Sequence, residues 1–428
     1  MSTAAPPATP PADRRALAFI VVLVLIDTLS FGLVIPVLPT LVMKLGNVPL
    51  SQASAIGGWL VMAFAIAQFL ASPILGGLSD QHGRRPVLLL SSAGHAVAFL
   101  IAAFAPNLWV LLVGRIISGL TGASFSTAYA YIADVTPPAR RAQNFGLVGV
   151  AFGLGFMLGP AMGGLLGSID YRLPFIAAAV VCLVNFALGW FVLPESLKPE
   201  LRRPFDLQRA NPFAVFSRLK LLGGPLAILA AIHFLWWFAI QAQHSIWPYY
   251  TQYRYGWTPQ EVGLSLGFVG LLSVLVNWFL VKRAVARFGE ARTLRFGLLM
   301  GASAMALYAL AGVPGMLLAG ILIGSLGGLA PSSLQALATS EAAANAQGEL
   351  QGALNALTSI AIVVGPPLYS QLFANSSGDA PWFRFPGLPF ALAAGLAGSA
   401  FLLSLKVKPR GGSGGARAAA PPALEAMG

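Results

Sequence analysis

The sequence predicts an all-α membrane protein that crosses the bilayer about twelve times, in two six-helix halves. Of its 428 residues, 57% are hydrophobic and 9% charged, with a mean hydropathy of +0.76, which is too apolar for a soluble domain of ordinary composition. The apolar residues gather into runs close to the roughly 20 residues that span a bilayer, and the charges lie in the gaps. The second half repeats the first at one spacing: Gly83 with Gly289, Gly146 with Gly352, and Gly159-Pro160 with Gly365-Pro366, each 206 residues apart.

Taken in order, residues 1–15 form an Ala-, Pro- and Thr-rich tail expected to be disordered. Residues 16–193 form the first six-helix bundle, 194–220 a cytosolic linker, 221–406 the second bundle and 407–428 a disordered tail rich in Gly, Ala and Pro. The first apolar run, from Ala16 to Met43, exceeds the roughly 7–15 residues of a signal core, so no cleavable leader is expected. It carries Asp27, and Pro36 and Pro39 should bend its outer half. Helices two to six are expected near Ser54–Leu78, Pro86–Ala105, Leu108–Ile132, from Gln143, and Leu173–Val192. The linker mixes Lys198, Arg202, Arg203, Arg209, Arg218 and Lys220 with Phe205, Leu207, Phe213 and Phe216, the pattern of a segment lying in the lipid interface. Helices seven to twelve are expected near Leu222–Tyr250, Pro259–Val281, Thr293–Leu310, Gly315–Leu337, Leu350–Phe373 and Pro386–Leu405.

The formal charge of +12 is a topological signal and no sign of nucleic acid. All Lys and Arg except Lys44, Arg115, Arg172, Arg254 and Arg384 fall in the tails and even-numbered loops, which places both termini in the cytosol. The single cysteine, Cys182, lies within an apolar run, so disulfide, redox and metal-cluster chemistry drop out, and no cofactor or metal is expected. No nucleophile–base pair argues for an enzyme, and nothing resembles a channel filter. The expected partners are a small-molecule substrate, protons and the lipid bilayer, with the chain acting as a monomer.

Gly76 to Arg85 is a charge cluster wedged between two apolar runs, the form of a tight hairpin between helices. Gly76 would permit close helix approach, Gly83 would supply the turn, Arg84 and Arg85 would sit among headgroups, and Asp80 would need a cation or helix N-terminus beside it. This stretch resembles the signature loop of the major facilitator superfamily, departing from it at Gln81. Gly146, Gly155, Gly159-Pro160 and Gly163-Gly164 resemble the helix-five antiporter signature of its drug-efflux branch, where small residues let helices pack closely and Gly-Pro loosens the ladder. Asp27 with the following Gly-Leu-Val-Ile-Pro-Val-Leu-Pro, Tyr131-Ile132-Ala133-Asp134, Pro331 with Gln335, and Gly348 to Gly352 extend the resemblance to the tetracycline-efflux group. The resemblance implies a bacterial cytoplasmic membrane, a helix-four role for Arg115 beside the proton site, and an Arg84–Asp134 pair that latches an outward-facing state. Ala98, Ser273 and Gly301 or Ala302 stand where that group carries its helix-three aspartate, helix-eight histidine and helix-nine aspartate, so the ligands for a tetracycline–metal chelate are missing.

Asp27 is the acid deep in hydrocarbon, and intramembrane acids mark proton sites. Arg115 and His95 are its expected partners in proton coupling; His95, one turn before Ala98, is positioned to stand in for the absent aspartate. Gly76, Asp80, Gly83, Arg84, Arg85, Asp134, Gly155, Gly159 and Pro160 are expected to form the conformational switch. Trp236, Gln241, His244, Asn277, Gln335 and Asn355 are candidates for binding substrate, whereas Trp247 to Tyr250 read mainly as an interfacial aromatic belt. Together these residues describe a proton-coupled antiporter exporting a small amphipathic or lipophilic compound, preferentially an uncharged or weakly cationic aromatic one. An importer or facilitator of an organic solute on the same fold is the alternative.

Overall fold

In hydrocarbon each backbone N–H and C=O must be satisfied within the chain, so apolar runs of this length close into helices. The computed structural model describes residues 14–122, 124–137, 140–206, 211–213, 223–343, 346–378, 381 and 383–407, and among them no strand occurs. Twelve apolar passes follow: α1 (Ala16–Gly46), α2 (Leu50–His82), α3 (Arg84–Phe104), α4 (Leu108–Val135), α5 (Arg141–Ile169), α6 (Leu173–Val192), α7 (Gly224–Tyr255), α8 (Pro259–Phe288), α9 (Glu290–Leu310), α10 (Pro314–Glu341), α11 (Gln347–Ser377) and α12 (Leu388–Ser404). Eleven are long enough to cross a bilayer, and α12 is a shorter apolar helix. As expected from Pro36, α1 tightens into a 3₁₀ turn at Ile35–Val37. α8 carries a π-turn at Val276–Leu280.

The duplication is visible in the backbone. α3 and α9 are both 21 residues long and start at Arg84 and Glu290, the same offset that separates Arg141 of α5 from Gln347 of α11. Gly83 (φ 108°, ψ 165°) and Gly289 (φ 77°, ψ 165°) occupy the same joint between helices, in a region that side chains with a Cβ rarely enter. Packing repeats too. In the first half α1 lies against α5 and α6, and α3 against α4 and α6; in the second, α7 lies against α11 and α12, and α9 against α10 and α12.

The halves meet along two seams, α5 with α8 and α2 with α11. Away from the termini both seams are closed by backbone. A Cβ on Gly263 would run into the Pro160 carbonyl and the Gly164 backbone, and one on Gly58 would lie 2.7 Å from the Ser370 side chain and 2.9 Å from the Pro366 carbonyl. At the end that holds the termini the helices part. Gly76, Gly146, Gly149 and Gly348 face open space. A cavity of about 580 Å³ opens between α5 and α8, and one of about 370 Å³ between α2 and α11.

Gly76 therefore makes no close helix approach here. Its neighbour Gly77 lies instead under the ring of the linker residue Phe205. Two of the linker's aromatic residues touch α2: Phe205 covers Gly77, and Phe213 meets Phe69 edge-on, 5.8 Å between ring centroids, while staying 60% exposed, as an interfacial segment would. Leu207, Arg209, Phe216, Arg218, Lys220 and most of both tails lie outside the described residues.

Candidate functional site

A buried polar cluster sits inside the first half. α1 contributes Asp27, 1% exposed, because the apolar run around it is packed by α5 and α6. Asn185 of α6 donates from Nδ2 to Asp27 Oδ1 at 3.0 Å, and the same nitrogen lies 3.4 Å from Ser92 Oγ of α3. His95 of α3, 2% exposed, is within electrostatic reach of the carboxylate, and Ser124 of α4 lies beside it. Asp27 Oδ2, both His95 ring nitrogens, Ser118 Oγ, Ser124 Oγ and Thr127 Oγ1 are buried without a well-formed hydrogen bond among the described residues. Each such orphan ordinarily costs about 1–3 kcal/mol, so the neighbouring Asp27 carboxylate and His95 imidazole mark a place where stability has been given up.

Asp27 and His95 border none of five cavities found among the described residues. Phe31 stands between. Its ring meets the His95 ring edge-on at 4.9 Å and also lines a cavity of about 190 Å³ at the junction of the halves. That cavity is walled by Phe64, Gly57, Pro248 and Tyr249, with Arg115 and His244 as its basic side chains. His244 of α7 also borders the 580 Å³ cavity and two smaller ones, so it sits where the spaces converge.

Arg115 is the clearest departure from the sequence-based expectation. It makes no contact with Asp27; its electrostatic partner is Tyr249 of α7, across the junction. Of the expected substrate residues, Trp236 borders a cavity of about 170 Å³, Asn277 the 580 Å³ cavity and Asn355 the 370 Å³ cavity. Gln241 is packed under Gly365, with Oε1 3.4 Å from His244 Nδ1, and borders none of the five. Gln335 also borders none, and its amide turns to Thr339 at 3.5 Å. Trp247, Tyr249 and Tyr250 form no interfacial belt. They are 0–2% exposed, with Trp247 Nε1 donating to Ser265 Oγ at 3.0 Å and the Tyr250 hydroxyl to the Tyr308 carbonyl at 2.7 Å. The missing helix-nine side chain also has a structural counterpart: the Trp236 indole fills the space over Gly301, where a Cβ would run into its ring.

At the hairpin, Asp80 finds its cation in Arg84, which also reaches Asp134 Oδ2 of α4 at 3.2 Å. The Arg84–Asp134 pair joins two helices of one half and is intact while the termini end is open, so by itself it does not fasten the halves together. Glu195, which sequence reasoning passed over, accepts from the backbone N–H groups of Arg84 (2.8 Å) and Arg85 (3.2 Å) and so caps α3. Gly155 and Gly159 pack on α1, against Thr28 and Gly32, and α5 is continuous through Pro160.

Gly83→Ala is expected to combine backbone strain of about 1–3 kcal/mol with loss of the Glu195 cap, about 0.5–2 kcal/mol, because its Cβ would enter the Glu195 carboxylate. Gly289, with open space around it, should suffer the strain alone. Thermal unfolding of the detergent-solubilised proteins should therefore show a clearly larger drop for Gly83→Ala than for Gly289→Ala. Equal drops would show that the Glu195 cap contributes nothing.

Comparison with known proteins agrees with this architecture. The family model described as Major Facilitator Superfamily matches residues 20–366 and again 229–426. The class C tetracycline resistance protein of Escherichia coli is 38% identical over 85% of this chain and 91% of its own length, and the class G protein of Vibrio anguillarum is 37% identical over 85% and 92%. The crystal structure of the human organic anion transporter MFSD10 (TETRAN) superposes with a TM-score of 0.69 at 24% identity, covering 92% of this chain and all of that one. A duplicated twelve-helix frame, two glycine-lined seams and identity at this level to several such relatives together establish that the chain belongs to the Major Facilitator Superfamily, within its tetracycline-efflux group.

Proposed function

We propose that the protein is a proton-coupled antiporter that exports a small amphipathic or lipophilic compound across a bacterial cytoplasmic membrane. The observation that carries this reading is the Asp27 cluster: a buried carboxylate with one oxygen held by Asn185 and the other without a well-formed hydrogen bond, within electrostatic reach of His95, whose ring meets Phe31 at the wall of a cavity between the halves. The relatives named as tetracycline resistance proteins support efflux as its purpose. In this reading both termini are cytosolic, the open clefts admit substrate from the cytosol, and residues 16–193 and 221–406 rock as two bodies about the midplane. Asp27 releases its proton in the cytosol-facing state and reloads once the far seams part, with His95 as its electrostatic partner. The switch residues Gly76, Asp80, Gly83, Arg84, Arg85, Asp134, Gly155, Gly159 and Pro160 hold the hairpin and the α1–α5 contact through that movement.

Everted membrane vesicles carrying a pH-sensitive dye provide the test. Adding a transported compound should collapse part of an imposed proton gradient, and flux in the opposite direction would sink the export reading. Tetracycline with magnesium should be a poor substrate. A hard-cation chelate needs acidic and imidazole partners, whereas Ala98, Ser273 and Gly301 supply none, Trp236 fills the third position, and His95 is turned into the Asp27 cluster. Losing two charge-assisted hydrogen bonds of about 1.5–3 kcal/mol each weakens binding by roughly a hundredfold or more. Magnesium-dependent tetracycline flux matching that of the best compound in a panel would overturn this expectation.

A further inference from the structure

We propose that the cavity of about 580 Å³ between α5 and α8 binds a neutral aromatic compound carrying hydrogen-bond donors, with His244 and Asn277 as the acceptors that select it. The inference deepens the export reading and rests on it only in taking the bound compound for the substrate. Among the described residues no aspartate, glutamate, lysine or arginine lines this cavity. Two of its side chains present an acceptor whose neighbouring N–H is already engaged by the protein. Gln241 Oε1, which can only accept, lies 3.4 Å from His244 Nδ1, so the proton of the neutral ring is held at Nδ1 and the lone pair of Nε2 is left. His244 is exposed although it lies well inside α7, because four cavities meet at its ring.

Asn277 belongs to the π-turn of α8, an interruption of the regular ladder that helices carry mostly at functional sites. Its Nδ2 donates to the Ser273 carbonyl at 2.9 Å, within its own helix, and Oδ1 has no partner among the described residues. The same turn sets Trp278, 65% exposed, on the cavity wall. On α5, Phe152 and Phe156 stack with 6.2 Å between ring centroids, and Phe156 lies 6.4 Å from the His244 ring. Such walls suit an aromatic ring, and free acceptors discriminate by what they are offered. A hydroxyl or N–H pairs with them, whereas an ether oxygen leaves them without a partner. A charged group would lose hydration here and find no counter-ion.

The test is equilibrium binding to the purified full-length protein in detergent at about pH 8, above the ordinary histidine range, with no proton gradient. It therefore reads ligand class separately from direction or coupling. Three probes share one ring: 2,7-dihydroxynaphthalene offers two donors, 7-methoxy-2-naphthol one, and 2,7-dimethoxynaphthalene none. After uptake by empty micelles is subtracted, wild type should bind the diol about tenfold or more tighter than the diether, with the mono-ether between them. His244→Phe, which keeps a ring beside Phe156, and Asn277→Leu, at an exposed position, should each weaken diol binding about threefold or more. Both should leave the diether within about twofold of wild type, because it uses neither acceptor. If one variant does not fold, the wild-type ranking and the other variant decide. No measurable diol binding, a diether bound as tightly as the diol by wild type, or a diol preference undiminished in the folded variants would each overturn the inference.

Discussion

Asp27→Asn is expected to abolish uphill export, by about a hundredfold or more, while leaving the protein folded and able to exchange substrate for substrate. The substitution keeps side-chain volume and the acceptor that takes the 3.0 Å hydrogen bond from Asn185, so the α1–α6 contact survives. What it removes is the titrating oxygen. The new amide N–H₂ occupies the position of Oδ2, which has no well-formed hydrogen bond, where Ser124 and His95 offer acceptors; loss of fold is therefore not expected. Coupling has a physical route, because Thr28, next in sequence, packs on Gly155 of α5, and α5 in turn forms the seam with α8 through Gly164 and Gly270. Uphill accumulation by the mutant at the wild-type rate would remove Asp27 from the proton path. Loss of substrate exchange together with uphill transport, in a mutant of normal stability, would make Asp27 a structural residue.

The sequence already contained most of the frame, because a membrane helix is specified by local composition and a duplication by spacing. Gly83 and Gly289, paired by the repeat, share one backbone conformation. The site was less legible, since hydropathy assigns a residue to a helix without saying which neighbour it faces. Asn185 lies 158 residues from the carboxylate it holds, and its one local signal is to be the lone amide in the apolar run of α6. The resemblance places Arg115 beside the proton site, yet its electrostatic partner is Tyr249 of α7. Trp247 and Tyr250 were read as an interfacial belt because the expected helix ended at Tyr250. α7 continues to Tyr255, which brings these rings inside, onto Tyr308 and Phe390. Gln335 and Gln241 show the converse: a polar side chain in an apolar run is as readily satisfied by its own helix as by a ligand.

Gly263→Leu is expected to stop transport by holding the far seam open. At this position α8 touches α5 backbone to backbone, so a side chain has no soft neighbour to displace. Overpacking of even a deformable core costs about 1–3 kcal/mol, and about 1.4 kcal/mol changes a two-state population tenfold. The state that carries this cost is the one described here, closed away from the termini; the state with the seam parted escapes it, so the population shifts toward the latter by tenfold or more. A transporter must visit both states, and its turnover should fall accordingly. Ser54 provides the reporter: it is 0% exposed, and its hydroxyl lies 3.2 Å from the Ser370 carbonyl across the second seam. In a Ser54→Cys, Cys182→Ala background, an impermeant maleimide added from the side opposite the termini should label the Gly263→Leu protein at least about tenfold faster than its parent. Gly395→Leu on α12, where a side chain meets nothing within 4 Å, should leave both labelling and transport unchanged. If Gly263→Leu is folded and inactive yet Ser54→Cys stays protected, the glycine seam is packing alone and the gate lies elsewhere.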